Sequence, residues 1–300
     1  MLSAHVQTWR PYTLAYPGLV GMAGAALPPG PPAWWQLALA WAAATLGWVS
    51  GHYLGDYFDR DLDALSKPQR PIPSGRLSAR TALVTGIGLA VAVLATLVAV
   101  NWRVSLLALA TVAVMIAYSA FFKSRGLSGN LARGTATALA LTCGALLTHP
   151  VPPVVTAVAA VAFLCHDTAS NLVGTLRDID GDERGGYRTF PVRHGVPATV
   201  RLVVVLYAVA VGALFTVAAF AVLLFAAAAL GIGALWTLRT VTPGRALRAH
   251  EILVVERLVL AAALLPPVLG MAALAVALVP TLATQHRLRA RYEFPEGHHV

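Results

Sequence analysis

The stretch LVVVLYAVAVGALFTVAAFAVLLFAAAALGIGALW at 202–236 runs for 35 residues without a charge or a proline, punctuated only by Gly212, Gly231 and Gly233. A bilayer core is spanned by about 20 apolar helical residues, so the run is too long for one crossing and divides into two near Ala218. Around it, 58% of the 300 residues are hydrophobic, 12% are charged and the mean hydropathy is +0.70. That composition describes an all-α integral membrane protein, because backbone groups in lipid must be satisfied within the segment that carries them. Nine apolar segments follow: 12–28, 34–55, 80–100, 102–121, 132–148, 153–176, 198–217, 219–238 and 258–280. Cys143 and Cys165 both lie inside apolar segments, which excludes a disulfide framework and a Cys/His zinc site.

The formal charge of +9 does not imply nucleic acid, since basic residues between apolar spans are what orientation in a bilayer requires. With the N-terminus in the cytoplasm, loops 56–79, 122–131, 177–197 and 239–257 and the helix ends beside them hold 18 of the 22 basic residues. An odd number of spans puts the termini on opposite sides and leaves Arg103, Arg287, Arg289 and Arg291 outside, so the tail RLRARYEFPEGHHV violates the positive-inside pattern. Arg10 is the only basic residue before the first apolar stretch, which makes a secretory signal a poor reading of the N-terminus.

Eight of the 13 acidic residues fall within 56–63 and 178–183, at the cytoplasmic ends of the second and sixth segments, where they can face each other. In GHYLGDYFDRDLDALSKPQRPIPSGRLS (51–78), Asp56, Asp59 and Asp63 are three and four apart and stack on one helix face, while Asp61 points away. Such a stripe is resolved by a divalent cation, and carboxylate oxygens suit Mg²⁺ bridging to phosphate. The competing reading is a solvated helix end neutralised by Arg60, Lys67 and Arg70. In NLVGTLRDIDGDERGGYRTFPVRHG (171–195), Asp178 and Asp182 share a face if the helix continues, with Asp180 nearly opposite. The spacing of these three also suggests an EF-hand loop, but the twelfth position is Thr189 rather than Glu. Lys67, Arg70 and Arg76 follow the first window, and Arg177, Arg184, Arg188 and Arg193 surround the second; carboxylates with Arg donors suit a diphosphate. The segments 12–121 and 132–238 each carry an acidic cluster after their second helix, a weak internal repeat within one domain spanning 1–300.

These stretches resemble the UbiA superfamily of intramembrane prenyltransferases. Arg10-Pro11 is similar to the family's N-terminal Arg-Pro, and DYFDRDLDALSKPQRPIPSGRLS (56–78) to its first Asp motif. YSAFFKSRGLSGN (118–130) and DIDGDERGGYRTFPVRHG (178–195) resemble its Tyr-Ser/Lys/Gly-Asn segment and its second Asp motif. The resemblance implies about nine transmembrane helices around a central cavity, with Asp56, Asp59 and Asp63 facing Asp178 and Asp182 to hold two Mg²⁺ ions on a prenyl diphosphate. Lys67, Arg70, Lys123 and Arg177 would be the diphosphate's cationic partners. Gly55 stands where the family's first motif begins with Asn, which removes an amide oxygen.

Three further residues are candidates for lining the cavity: His52, one turn before Asp56; Tyr118; and Asn171, two turns before Asp178. His166 and Asp167 sit at a depth where ionisable groups are costly, and are read either as cavity residues or as a helix–helix hydrogen bond. Trp9, Trp34, Trp35 and Trp102 are assigned to interfacial belts. The function expected is Mg²⁺-dependent transfer of a prenyl group from an isoprenyl diphosphate to a lipophilic acceptor, aromatic by preference, in the cell membrane with the active site near the cytoplasmic face. The alternative is a UbiA-type terpene cyclase that needs no acceptor. A transporter is disfavoured because the repeat is parallel and the acidic clusters share one face.

Overall fold

The computed structural model describes residues 2–293. The helices are α1 (Leu2–Trp9), α2 (Pro11–Ala26), α3 (Trp34–Ser66), α4 (Ala79–Val100), α5 (Trp102–Ala117), α6 (Leu127–Thr148), α7 (Val154–Arg177), α8 (Ile179–Arg184), α9 (Phe190–Leu214), α10 (Ala221–Thr237), α11 (Pro243–Ala263), α12 (Pro267–Thr284) and α13 (Ala290–Glu293). A π-helical turn at Tyr118–Phe122 extends α5, and a second at Gln285–Arg289 joins α12 to α13. Two-residue strands β1 (Arg125–Gly126) and β2 (Arg188–Thr189) pair in parallel and tie the loop after α5 to the loop after α8.

Six of the helices are long and apolar enough to cross a membrane by length and composition. Of these, α4 and α5 turn Val84, Val91, Val98, Leu106 and Leu109 outward, a pattern that is stable where the solvent is lipid. Lipid gives helices no hydrophobic reason to associate, so contact depends on close approach of small residues. At the α2–α6 crossing, a Cβ at Gly24 would strike the Leu141 carbonyl and one at Gly144 the Gly21 carbonyl, so only glycine permits this spacing. Trp34, Trp35 and Trp102 are exposed as belt residues should be. Trp9 is not one of them: its indole N–H donates to the Tyr53 hydroxyl at 2.7 Å, fixing α1 against α3.

The division near Ala218 falls in the turn between α9 and α10, where Phe220 N–H donates to the Ala263 carbonyl. The ninth segment is placed differently from the sequence reading. Residues 258–280 straddle the end of α11 and the start of α12, broken at Pro266 and Pro267, and most of the supposed loop 239–257 is helical. Polar residues in α11 masked it as a span, yet Glu256 and Arg257 are buried. Among the described residues there are therefore ten helices of 16 residues or more, and both ends of the chain meet at one end of the bundle: Arg10 bonds Asp56 and Tyr292, and Lys67 bonds Glu293. Arg287, Arg289 and Arg291 thus join the other basic residues, and the apparent violation of charge asymmetry disappears, with Arg103 left at the opposite end. Residues 294–300, the rest of that tail, lie outside the described residues.

Candidate active site

At about 50 Å, α3 is longer than a bilayer core is thick, so its last turns project beyond the apolar layer. On those turns Asp56, Asp59 and Asp63 line one buried stripe, whereas the Asp61 side chain is 86% exposed. Each buried carboxylate meets a cation from a different segment. Arg10 and the Tyr292 hydroxyl donate to Asp56, Lys123 Nζ donates to Asp59 at 2.6 Å, and Arg70 donates to both oxygens of Asp63 at 2.8 and 2.9 Å. Arg60 contributes nothing to this row; it bonds the Tyr57 carbonyl and lies 3.6 Å from Asp61. A solvated helix end is therefore not what the sequence builds. Arg10 has a φ of 50°, the one positive value at a non-glycine among the described residues, immediately before the Pro11 that starts α2. Backbone strain of this kind persists where surrounding contacts enforce it, and here the enforcing contacts are those of the Arg10 side chain.

The second row differs from expectation in its backbone. The helix ends at Arg177, and Asp178 (φ −100°, ψ 9°) caps it before the short α8 begins. The Asp182 N–H still donates to the Asp178 carbonyl at 2.8 Å, so the two acids remain one turn apart and Asp180 faces outward. Lys67 reaches Asp178 at 3.1 Å and joins the two windows. Burial would raise the Asp178 pKa, but Arg177 and Lys67 outweigh it and hold the group below the usual carboxylate range. Asp182 lacks that compensation: burial first and the Asp178 charge second push it up to about 6. Burial would likewise lower the Lys123 pKa, yet Asp59 keeps it above the ordinary lysine value.

Between the rows sits a residue the sequence reading did not select. Glu293 Oε2 lies 3.1 Å from Lys67, 3.3 Å from Arg70 and 3.2 Å from Arg177. Three of the four cations named for a diphosphate thus converge on one carboxylate, and they hold its pKa well down despite its burial. Tyr292 adds its ring, with the Arg10 and Arg70 guanidiniums 4.5 and 4.4 Å from the centroid. An odd span count had carried both residues to the opposite face. The outer basic residues stay away from the rows: Arg76 bonds the Gln69 carbonyl, Arg184 bonds the Asp180 carbonyl, and Arg188 and Arg193 are exposed.

Two cavities adjoin these groups. The first is an apolar groove of about 1010 Å³, its open mouth included, walled by small residues of α3 (Ala40, Gly47, Gly51) and α6 (Ala136, Ala140, Gly144) and by Leu54. From Leu54 to Ala40 it follows α3 for ~21 Å. The second, about 530 Å³, is polar and includes His52 and Asn171. His52 is held by the Trp9 carbonyl at 3.1 Å, and Asn171 accepts from Asn130 at 2.8 Å. Tyr118 lines neither cavity; it lies on the π-helical turn with its ring 6.0 Å from the Arg133 guanidinium. For His166 and Asp167 both readings hold, one for each residue. His166 bonds Glu256 at 2.5 Å between helices, while Asp167 lines the polar cavity.

Among the described residues, no three His, Cys, Asp or Glu side chains converge as a ready-made metal cluster. The donors nevertheless suit hard cations, because Asp56 Oδ2 and Asp59 Oδ1 are buried oxygens with no hydrogen-bond partner.

The UbiA prenyltransferase family model matches residues 14–252. The chain is 34% identical over 189 residues to digeranylgeranylglyceryl phosphate synthase of Natronomonas pharaonis, covering 62% of this chain and 67% of that one. It is 33% identical over 197 residues to the synthase of the same name from Thermococcus gammatolerans (64% and 69%). A UbiA homolog from Aeropyrum pernix K1 superposes with a TM-score of 0.69 at 16% identity, over 90% of this chain and 98% of the other. A UbiA homolog from Archaeoglobus fulgidus, solved with DMAPP and Mg²⁺, gives 0.62 at 17% identity over 95% and 99%. The facing acidic rows are therefore set in a known membrane architecture, and the chain belongs to the UbiA prenyltransferase family.

Proposed function

We propose that the two acidic rows and the cations between them hold the diphosphate of a prenyl diphosphate and assist its departure, so that the prenyl group passes to a lipophilic acceptor within the membrane. The observation that carries this is the convergence of Lys67 and Arg70, from the loop after α3, and Arg177, from the end of α7, on the single carboxylate of Glu293. Cations gathered this way are prepared for an anion, and a diphosphate replacing Glu293 would bring more charge to the same place. Asp56, Asp59 and Asp63 on one side and Asp178 and Asp182 on the other would hold Mg²⁺, which when bound neutralises charge on the leaving diphosphate. Lys67, Arg70, Lys123 and Arg177 supply the remaining positive charge.

The apolar groove would take the isoprenoid chain and exclude water from the allylic cation left when the carbon–oxygen bond breaks. The acceptor's nucleophile forms the new bond and loses its proton. In this reading the chain acts as one unit, with 12–121 and 132–238 as related halves in which α3 and α7 end at equivalent acidic rows. Its site lies near the cytoplasmic face of the cell membrane, the side the basic residues favour.

The test is pyrophosphate release in liposomes from geranyl, farnesyl and geranylgeranyl diphosphates, with and without Mg²⁺ and acceptor lipids, with products weighed by mass spectrometry. Release that needs both Mg²⁺ and an acceptor is expected. Acceptor-independent release with a cyclic hydrocarbon product would replace transfer with cyclisation.

Gly55 provides a second test. A Cβ built there meets nothing closer than the Ser119 hydroxyl at 3.9 Å, so the backbone at position 55 accepts a side chain. The Gly55→Asn variant is expected to fold normally, gaining a few tenths of a kcal/mol in helix propensity. It should also lower the Mg²⁺ concentration for half-maximal release by roughly threefold, about the worth of one added neutral ligand contact. An unchanged Mg²⁺ requirement would show that position 55 does not face the metals.

A further inference from the structure

The segment that follows α12 consists of the π-helical turn Gln285–Arg289 and the single turn of α13, each too short to hold its shape by intrinsic helix propensity. Leu288 and Tyr292 are its only large apolar side chains, and Leu288 is half-buried. What fixes the segment is polar. Near α12, Gln285 Nε2 donates to the Glu251 carbonyl at 3.3 Å, and Arg289 bonds the Gln285 and His250 side chains. Its far end is held by the acidic rows and their cations. The Tyr292 hydroxyl donates to Asp56 at 2.8 Å and accepts from Arg10, its ring stands 4.5 and 4.4 Å from the Arg10 and Arg70 guanidiniums, and Gln69 Nε2 donates to its carbonyl at 3.1 Å. Glu293 receives Lys67, Arg70 and Arg177 on one oxygen, Oε2.

Two adjacent residues thus cover both components of the site. Tyr292 occupies Oδ1 of Asp56 and leaves Oδ2 as that carboxylate's open oxygen, while Glu293 occupies three of the four cations assigned to the diphosphate. A diphosphate brings more charge and more oxygens to those cations than one carboxylate does, and once they turn to it Glu293 loses the ion pairs that hold it. We propose that Tyr292 and Glu293 form an intramolecular latch, an occupant that closes the substrate-free site and is expelled by the entering prenyl diphosphate and Mg²⁺. The latch rests on the prenyl-transfer reading above, which supplies the ligand that expels it. A site closed in this way binds only through its open fraction, so every ligand that needs the site empty has its apparent affinity lowered by one common factor. A carboxylate that stayed beside the bound ligand would act differently, because its repulsion would grow with the ligand's charge.

The experiment uses the full chain in detergent with Mg²⁺ and compares equilibrium binding of geranylgeranyl diphosphate and geranylgeranyl monophosphate, with pyrophosphate release measured on the same preparations. Glu293→Gln should tighten both ligands by the same factor, about 10-fold or more, as loss of a charge-assisted contact in the closed state does. Tyr292→Phe leaves the ion pairs in place and removes only the hydroxyl, and should tighten both by about threefold. Tryptic cleavage after Arg291 reports the latch directly. Arg291 is exposed but Tyr292 is 4% exposed, so the bond between them is cut only when the segment leaves the site. Cleavage should be slow without ligand and at least roughly 10-fold faster with saturating diphosphate, and in Glu293→Gln it should be fast from the start. Weaker binding in Glu293→Gln, a gain larger for the diphosphate than for the monophosphate, or cleavage indifferent to ligand would overturn the latch, and prenyl transfer would stand if pyrophosphate release persists. Equal gains with ligand-driven cleavage, in a protein that releases no pyrophosphate with any acceptor, would instead retain the latch and reject the transfer reading.

Discussion

Asp178→Asn is expected to reduce pyrophosphate release by about a thousandfold or more, a loss of several kcal/mol of transition-state stabilisation, without weakening binding of the prenyl diphosphate. Asp178 lies between Arg177 at 2.7 Å and Lys67 at 3.1 Å, and both cations also contact Glu293. Amidation leaves those cations in place and frees them toward the bound diphosphate, so ground-state binding holds steady or tightens. What disappears, on the proposed reading, is a carboxylate that would hold Mg²⁺, an ion whose effect would grow as charge develops on the leaving group. The prediction is therefore a fall in kcat with KM level or reduced, which loss of a simple binding contact does not produce. Asp59→Asn should behave alike from the opposite row, because it too removes a carboxylate while sparing a cation, Lys123. If the rows work as a unit, Asp59→Asn/Asp178→Asn will be scarcely worse than either single variant. Independent, multiplying losses would mean that the two rows do not share one substrate.

The sequence announced this site clearly because helical periodicity and charge are local. Asp56, Asp59 and Asp63 at spacings of three and four need only one helix to stack, and the exposed Asp61 follows from the same geometry. The second row was legible for the same reason even though its helix breaks, since a turn closed from Asp182 to Asp178 preserves the spacing. Non-local arrangements were not legible. No pattern along the chain reveals that Glu293 returns to Lys67 across 226 positions, because that contact depends on whether the number of crossings is even or odd. The count failed at α11, where Glu251, Glu256 and Arg257 made a buried helix resemble a loop. Hydropathy measures preference for lipid, and α11 is enclosed by other helices. Its charges answer to His166, Tyr207 and Tyr16 instead.

That enclosure gives Glu256 a large expected effect on stability. Its Oε2 lies 2.5 Å from His166 Nε2 on α7, and its Oε1 accepts from the Tyr207 hydroxyl on α9 at 3.2 Å, with neither Glu256 nor His166 exposed. One carboxylate thus joins three helices where water cannot replace it. Glu256→Ala leaves the imidazole and the phenol unsatisfied and opens a cavity between them, so it is expected to cost about 3–5 kcal/mol, as breaking a buried pair does. In detergent the unfolding temperature should fall by roughly 10 °C. Glu256→Gln keeps the shape and most of the hydrogen bonding and should cost only about 1–2 kcal/mol. His166→Ala combined with Glu256→Ala should lose less than the sum of the two, since each single change already removes the same contact. Thermal unfolding of the four proteins decides the matter: a Glu256→Ala protein as stable as the parent, or strict additivity with His166→Ala, would mean that packing of small residues alone joins these helices. Neither Glu256 nor His166 lines either cavity, so Glu256→Gln should retain Mg²⁺-dependent pyrophosphate release even as its unfolding temperature drops.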